Sequence, residues 1–287
     1  MTARVLDGKA VAAEIRGELA AEAERLAGHG HRPGLAAVLV GDDEPSKIYV
    51  GSKQRAAEAT GFVSRVVRMP GTATQDDVLA QVAALNADPA VHGMIVQLPL
   101  PPAIDPIAVQ EAIHPDKDVD ALHPVSEGRL LRGDPHFLPA TPAGIVELLR
   151  RSDVPLDGAE VVIVGRGLLV GRPLAVMLAA RRPGPNATVT LCHTGTRDLA
   201  AHTRRADVLV VAAGQHALVT PDMVKPGAAV VDAGQHRTPA GLAGDVDPAV
   251  AEVAGALTPV PGGVGPMTVA ILLANTVTAA QAAVAGG

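Results

Sequence analysis

Apolar positions recur along the chain in two alternating rhythms. Between residues 7 and 29, Val11, Ile15, Leu19 and Leu26 fall at helical spacing with charges between them, which predicts a long amphipathic helix ended by Gly28 and Gly30. Short apolar runs at 35–41, 63–69 and 91–100 read as strands. Helical stretches lie between them, at 46–60, closed by Gly61, and at 74–86, where Val78, Leu79, Val82 and Leu85 share a face. Strand and helix in alternation predict a parallel sheet. A proline-rich passage at 99–142 breaks the rhythm, with a boundary near Thr141. A helix at 142–151 then leads into strands at 160–165, 188–193, 207–213 and 228–232, with helices after the first two, so a second α/β unit is expected. The last apolar helix, 266–285, follows that unit and is expected to return to the first.

Composition narrows the possibilities. With 48% hydrophobic and 19% charged residues in 287, the chain can build a sizeable core and is not disordered. One tyrosine, two phenylalanines and no tryptophan leave that core to Ala, Val, Leu and Ile. They also argue against a surface that stacks nucleic-acid bases, as does the net charge of -6. The single cysteine, Cys192, allows no internal disulfide and no cysteine-rich zinc site, which fits a reducing compartment. Charges at Arg4, Asp7, Lys9, Glu14, Arg16 and Glu18 interrupt any export signal, so a cytoplasmic location is expected. Residues 267–285 carry no charge and are long enough to cross a bilayer. Thr268, Asn275, Thr276, Thr278 and Gln281 are scattered through them and no basic or aromatic anchors flank them, so a buried interdomain helix is expected and no membrane.

Candidate chemistry lies at the ends of the expected strands. The strand at 160–165 runs into Gly165-Arg166-Gly167-Leu168-Leu169-Val170-Gly171, with Arg172-Pro173 opening a helix, a version of the dinucleotide fingerprint. Glycines let the backbone approach a pyrophosphate, and the amides and dipole of the helix start attract it. The next strand ends Cys192-His193-Thr194-Gly195-Thr196, without the carboxylate that would hold the ribose hydroxyl of NAD. Arg166 can pair with a 2′-phosphate, so NADP is favoured; the alternative leaves Arg166 solvated and gives the ribose to Asp198.

In the first unit, Tyr49 and Lys53 are four apart and emerge on one helix face, and Gln97, near the end of the third strand, points toward the same sheet edge. Read alone, such a Tyr and Lys form a solvated pair, and the acidic loop Asp116-Lys117-Asp118-Val119-Asp120 reads first as solvated charge, then as a substrate anchor or metal site. The ten histidines show no metal-ligand spacing; His29 and His31 flank Gly30 in a surface loop.

Five stretches in this order are similar to one family: Tyr49-Val50-Gly51-Ser52-Lys53; Val96-Gln97-Leu98-Pro99-Leu100-Pro101; Pro115 to Asp120; Gly165-Arg166 with Val170-Gly171; and Thr258-Pro-Val-Pro-Gly-Gly-Val-Gly-Pro-Met-Thr268. Together they resemble the bifunctional methylenetetrahydrofolate dehydrogenase/methenyltetrahydrofolate cyclohydrolase family over nearly the whole chain. The resemblance implies a folate cleft between two α/β domains and a homodimer. It implies a first domain at 1–141, completed by the helix at 266–287, and a Rossmann-like NADP-binding domain at 142–265. It implies Lys53 as the central catalytic residue, assisted by Tyr49 and tuned by Gln97, with Asp120 on the pterin ring. Val96, Leu98, Pro261, Gly262 and Val264 would line the folate path. Gly165, Arg166, Gly167 and Gly171 would meet NADP, with Thr194 near the ribose phosphate and Thr141 near the domain junction.

The chain departs from the family pattern at several places. Gly167 stands where relatives often have Ser, Ala140 where Cys is common, and Ala121-Leu122 where Gly-Phe follows the aspartate. Asp232-Ala-Gly-Gln-His-Arg237 replaces Asp-Val-Gly-Ile-Asn-Arg, so Gln235 sits where an apolar residue packs on the cofactor. The implied chemistry is NADP-dependent oxidation of 5,10-methylenetetrahydrofolate, then hydrolysis of the methenyl cation to 10-formyltetrahydrofolate. Hydride leaves a carbon between two nitrogens whose lone pairs stabilise the cation, so oxidation needs mainly alignment. Hydrolysis needs a proton acceptor, and Lys53 can serve if desolvation leaves some amine neutral. Two alternatives are a shikimate-type two-domain dehydrogenase and a catalytically silent NADP-binding protein.

Overall fold

The computed structural model describes residues 2–181, 184–239 and 241–285. Its elements are β1 (Arg4–Val5), α1 (Gly8–Gly28), β2 (Gly34–Val40), α2 (Glu44–Ala59), β3 (Val63–Met69), α3 (Gln75–Ala87), β4 (Gly93–Val96), α4 (Pro106–Ala112), α5 (Pro124–Arg132) and α6 (Ala140–Arg151). They continue with β5 (Glu160–Val164), α7 (Gly171–Leu178), β6 (Thr188–Cys192), α8 (Leu199–Thr203), β7 (Val208–Val211), β8 (Ala229–Asp232), β9 (His236–Thr238), β10 (Gly241–Ala243), β11 (Ala256–Leu257) and α9 (Val264–Ala285). The chain packs as two compact units, one of Met1–Ala13 with Pro139–Thr268, the other of Glu14–Leu138 with Val269–Gly287.

The unit holding Glu14–Leu138 contains a three-stranded parallel sheet in the order β3-β2-β4. All seven residues of β2 are buried, as expected of a central parallel strand covered on both faces. Ala36, Val38 and Val40 pack with Val78, Val82 and Leu85 of α3, which share one face because they recur at helical spacing. Each fully buried Val or Leu contributes about 1.5–3 kcal/mol. The chain leaves β2 for β3 on one side, then crosses to β4 on the other. That reversal opens a crevice at the C-terminal ends of β2 and β4, where α/β sheets hold ligands. The expected strand at 91–100 is shorter than its apolar run: only Gly93–Val96 is strand. The Gln97 N–H still donates to the Val38 carbonyl at 2.9 Å, but proline at 99 and 101 cannot donate to a ladder.

The other unit carries a six-stranded sheet in the order β1-β11-β8-β7-β5-β6, parallel throughout. β5 pairs β6 on one side and β7 on the other, so this sheet also reverses its winding, between β5 and β7. Its core is aliphatic, with Val162, Val164, Leu209, Val211 and Val230 buried around the buried thiol of Cys192. The two-residue strands β1 and β11 and the β9–β10 hairpin were not evident from periodicity, which needs longer runs than these.

The apolar helix α9 returns, as expected, to the first unit. Gln281 donates to Glu22 of α1, and the Asn275 amide donates to the Val119 and Leu138 carbonyls, both at 2.8 Å. Over Val264–Val284 the helix is long and apolar enough to cross a membrane, yet half of that window is buried in protein.

Candidate active site

In the first unit, α2 starts at the crevice because Asp43 caps it, accepting from the Ser46 N–H at 2.9 Å and the Ser46 hydroxyl at 2.7 Å. It stops at Gly61, whose φ of +84° favours glycine. Helical phase then puts Tyr49 and Lys53 on one face. Tyr49 is 42% exposed, although both phenylalanines of this chain, Phe62 and Phe137, are buried in the core. Lys53 is half-buried, and its Nζ donates to Gln97 Oε1 at 3.2 Å. Gln97 Nε2 donates to the Leu98 carbonyl at 2.7 Å, which fixes the amide with its oxygen toward the lysine. Val96 and Leu98, on either side of Gln97, are half-buried.

Asp120 completes this group. Burial pushes its carboxyl above the usual aspartate range; the nearby Lys53 charge pulls it down and Asp118 pushes it up. In the rest of the acidic loop Asp116 is exposed, as solvated charge would be, but Asp118 and Lys117 are not. Asp118 is 2% exposed and accepts from the Leu122 and His123 amides at 3.2 and 2.9 Å and from the Ser126 hydroxyl at 2.7 Å. Lys117 reaches back to the end of α3, donating to the carbonyls of Leu85, Asn86 and Asp88 at 3.2, 2.8 and 2.7 Å. These two side chains anchor the loop that presents Asp120. Ala121, next along, has a φ of +56°. An L-residue there costs about 1–2 kcal/mol, which explains why glycine suits this position.

In the second unit, the glycine loop follows β5 at the sheet reversal. A Cβ on Gly165, whose φ is +120°, would lie 2.0 Å from the Ala212 carbonyl oxygen, and one on Gly171 would lie 1.9 Å from the Gly165 oxygen. Both glycines are therefore required. Gly167 faces open space, so the missing side chain there is a lost contact and not a clash relieved. The N-cap of α7 is Val170, whose side chain caps nothing; the Arg172 N–H donates to the Gly167 carbonyl at 3.2 Å and Pro173 has no N–H, so the first-turn residues offer an anion mainly the positive end of the helix dipole. Arg166 is exposed beside them. At the end of β6, Thr194 is exposed within a turn in which His193 N–H donates to Thr196 Oγ1 at 2.8 Å. Asp198 is occupied elsewhere: it caps α8 by accepting from Ala201 N–H at 3.1 Å. The close-packed glycines, a helix start without a side-chain cap and the engagement of Asp198 at α8 fit a dinucleotide carrying a 2′-phosphate.

The remaining predicted residues of this unit are placed separately. Thr141 Oγ1 meets Thr268 Oγ1 at 2.9 Å. Gln235, exposed, has its Nε2 close to Gly265. Pro261, Gly262 and Val264 line, with Gln235 and Leu242, a cavity of about 140 Å³. Another cavity, about 570 Å³, opens around Arg4, Asp153, Asp207 and Gly227, at the N-terminal strand ends, the wrong end of a parallel sheet for a cofactor. Among the described residues, no group of three His, Cys, Asp or Glu side chains could hold a metal ion.

Residues 6–120 match the family described as tetrahydrofolate dehydrogenase/cyclohydrolase, catalytic domain, and residues 139–284 its NAD(P)-binding domain counterpart. The chain is similar to bifunctional protein FolD 2 of Frankia alni, 54% identical over 285 residues covering 99% of this chain and 98% of that one. It is similar to the crystal structure of the bifunctional FolD methylenetetrahydrofolate dehydrogenase/cyclohydrolase from Campylobacter jejuni, at 45% identity and a TM-score of 0.93, covering 97% and 98% of the two chains. A third similar structure is the Trypanosoma brucei methylenetetrahydrofolate dehydrogenase-cyclohydrolase complexed with NADP and an inhibitor: 41% identity, TM-score 0.92, 99% of each chain.

Proposed function

The chain belongs to the tetrahydrofolate dehydrogenase/cyclohydrolase family, and we propose that its two activities divide between the side chains at one sheet reversal and the backbone at the other. The enzyme oxidises 5,10-methylenetetrahydrofolate with NADP and hydrolyses the methenyl product to 10-formyltetrahydrofolate. The observation that carries the division is the hydrogen bond from Lys53 to an amide oxygen locked in place by Leu98, beside a half-buried carboxyl.

NADP, when bound, supplies the hydride acceptor. Gly165, Gly167 and Gly171 let the backbone meet its phosphates, Arg166 and Thr194 take the ribose phosphate, and Gln235 and Thr141 complete the cofactor contacts. Folate contacts are assigned to Val96, Leu98, Pro261, Gly262 and Val264. Asp120 accepts from the N–H groups of the pterin ring and orients it. With the substrate held, loss of hydride requires alignment and little else. In hydrolysis, water adds to the methenyl carbon and must lose a proton. Lys53 Nζ receives it, with Tyr49 assisting on the same helix face; the bond from that carbon to N5 then breaks, the added hydroxyl becoming the formyl carbonyl as its proton passes to N5. The Gln97 oxygen can accept from an amine or an ammonium, so it holds Nζ in place on both sides of the transfer.

We assign the catalytic domain to residues 1–141 with 266–287 and the NADP-binding domain to 142–265, with Pro261, Gly262 and Val264 of the latter given to folate and Thr141 of the former to the cofactor. By packing, β1 goes with the second of these. A homodimer working in the cytoplasm completes the reading, supported for the compartment by the lone buried Cys192. The test is a spectrophotometric assay with methylenetetrahydrofolate and each nicotinamide cofactor, paired with calorimetry of folate on Asp120→Ala. Turnover with NADP ahead of NAD, and weakened folate binding with intact NADP binding in the variant, are expected. Unchanged folate affinity in folded Asp120→Ala would remove Asp120 from the site.

A further inference from the structure

The segment after β8 departs from the family pattern at His236 as well as Gln235, and its histidine is built into a buried network. Asp245 is fully buried. Its Oδ2 accepts the Ala213 and Gly214 amides at 2.6 and 2.8 Å, and its Oδ1 pairs with His236 Nε2 at 2.6 Å. Its own amide donates to Asp232 Oδ1 at 2.9 Å, and Asp232 also accepts from Gly234 and Val246. Space for both carboxylates exists because two neighbours lack a side chain. A Cβ on Gly234 would lie 2.4 Å from Asp245 Oδ1, and one on Gly244 would lie 1.8 Å from Asp232 Oδ2.

Ala213 and Gly214 lie just beyond β7 and are exposed, so Asp245 holds their backbone from beneath. β7 is one side of the sheet reversal, β5 the other. The preceding residue, Ala212, donates its N–H to the Val164 carbonyl at 2.8 Å, and its own carbonyl is what Gly165 packs against. Loop 212–214 is thus the surface on which the glycine loop rests. His216, on the same loop, sets its ring edge against His236 at 5.7 Å between centroids.

We propose that His236 is a positioning residue for the cofactor: by holding Asp245 Oδ1 it orients the carboxylate that fixes the 213–214 backbone, and with it the glycine loop. The inference rests on the reading of that loop as the NADP site. Removing the imidazole leaves a buried carboxylate oxygen without its donor, and the carboxylate rotates or draws in water, loosening both amides. The side chain touches no reacting atom, so the effect falls on cofactor affinity.

The test compares the full-length parent with His236→Ala, His236→Asn and Arg166→Ala. NADP affinity is measured by calorimetry, and KM and kcat by the dehydrogenase assay. In His236→Ala, loss of a hydrogen bond to a charged group should weaken NADP binding about fivefold or more and raise the NADP KM, with kcat and the hydrolysis rate near parental. His236→Asn, which keeps an N–H donor, should recover part of the affinity. A structural defect alone would lower the melting temperature and the hydrolysis rate together and would not be rescued in affinity. If His236→Ala does not accumulate folded, His236→Phe, which fills the space without a donor, takes its place. NADP affinity at the parental level in the folded donorless variant overturns the proposal, provided Arg166→Ala does weaken binding. Parental affinity in both variants overturns the assignment of the NADP site itself.

Discussion

The two sheet reversals of this chain sit at equivalent places and are furnished in opposite ways. At the ends of β2 and β4, the crevice is built from side chains: Lys53, Gln97 and Asp120, each held by a further bond or by burial. At the ends of β5 and β7 it is built from what is missing, with Gly165 and Gly171 packed so closely that no Cβ fits and a helix start without a side-chain cap. The difference follows from the chemistry. Moving a proton needs a titratable group at one defined point. Holding a pyrophosphate needs many weak, fixed donors and close approach. One consequence is that damage to the first crevice should be specific to residue chemistry, and damage to the second to residue size and charge.

The largest effect should come from Lys53→Met, which keeps much of the apolar stem and removes the amine. Hydrolysis of methenyltetrahydrofolate, corrected for the buffer reaction, should fall by about 10²-fold or more, and oxidation by less. Arg166→Ala comes next: loss of a charge-assisted contact should weaken NADP about ten- to a hundredfold and leave NAD nearly unchanged. Equal losses for both cofactors would show that Arg166 does not read the 2′-phosphate. Gly165→Ala forces a side chain into a left-handed backbone against Ala212 and should lower kcat/KM for NADP by roughly tenfold or more, leaving hydrolysis near parental.

The smallest effect concerns stability. Because burial raises the folded-state pKa of Asp120 above 3.8, the protonated form is the one the fold favours. Its contribution to stability is fully present below the unfolded value and is lost as pH rises through the folded value. Asp120→Asn removes that loss. The variant should therefore melt above the parent at neutral pH, by roughly 2–4 °C for each kcal/mol relieved, with the gap closing in acid. A gap that widens in acid would mean that Asp120 is stabilised as the carboxylate.

What could be read along the sequence was what recurs locally. The i, i+4 pair Tyr49 and Lys53 and the strand-glycine-helix order at 160–171 are each made of neighbours in sequence, so spacing shows them; the meeting of Lys53 with Gln97, 44 residues apart, follows from both lying at the C-terminal edge of one parallel sheet. The function of the acidic loop was legible only in part. Asp120 could be assigned through its motif, but Asp118 and Lys117, which fix it, act through Ser126 and the end of α3, and Asn275 holds the same loop from 156 residues away. No local pattern encodes such partners. The same is true of β1, whose two residues are defined by a partner strand 252 positions later in the register Arg4 to Ala256. The pairing of His236 with Asp245 lay hidden for another reason: it crosses a hairpin of short strands that periodicity does not detect.

The division of labour between the two crevices is tested most directly by the ratio of hydrolysis to oxidation, measured on single folded preparations of Lys53→Met and Gly165→Ala beside the parent. The ratio should fall below the parental value in Lys53→Met and rise above it in Gly165→Ala. Ratios that stay parental in both variants, or move in the same direction, would contradict the account.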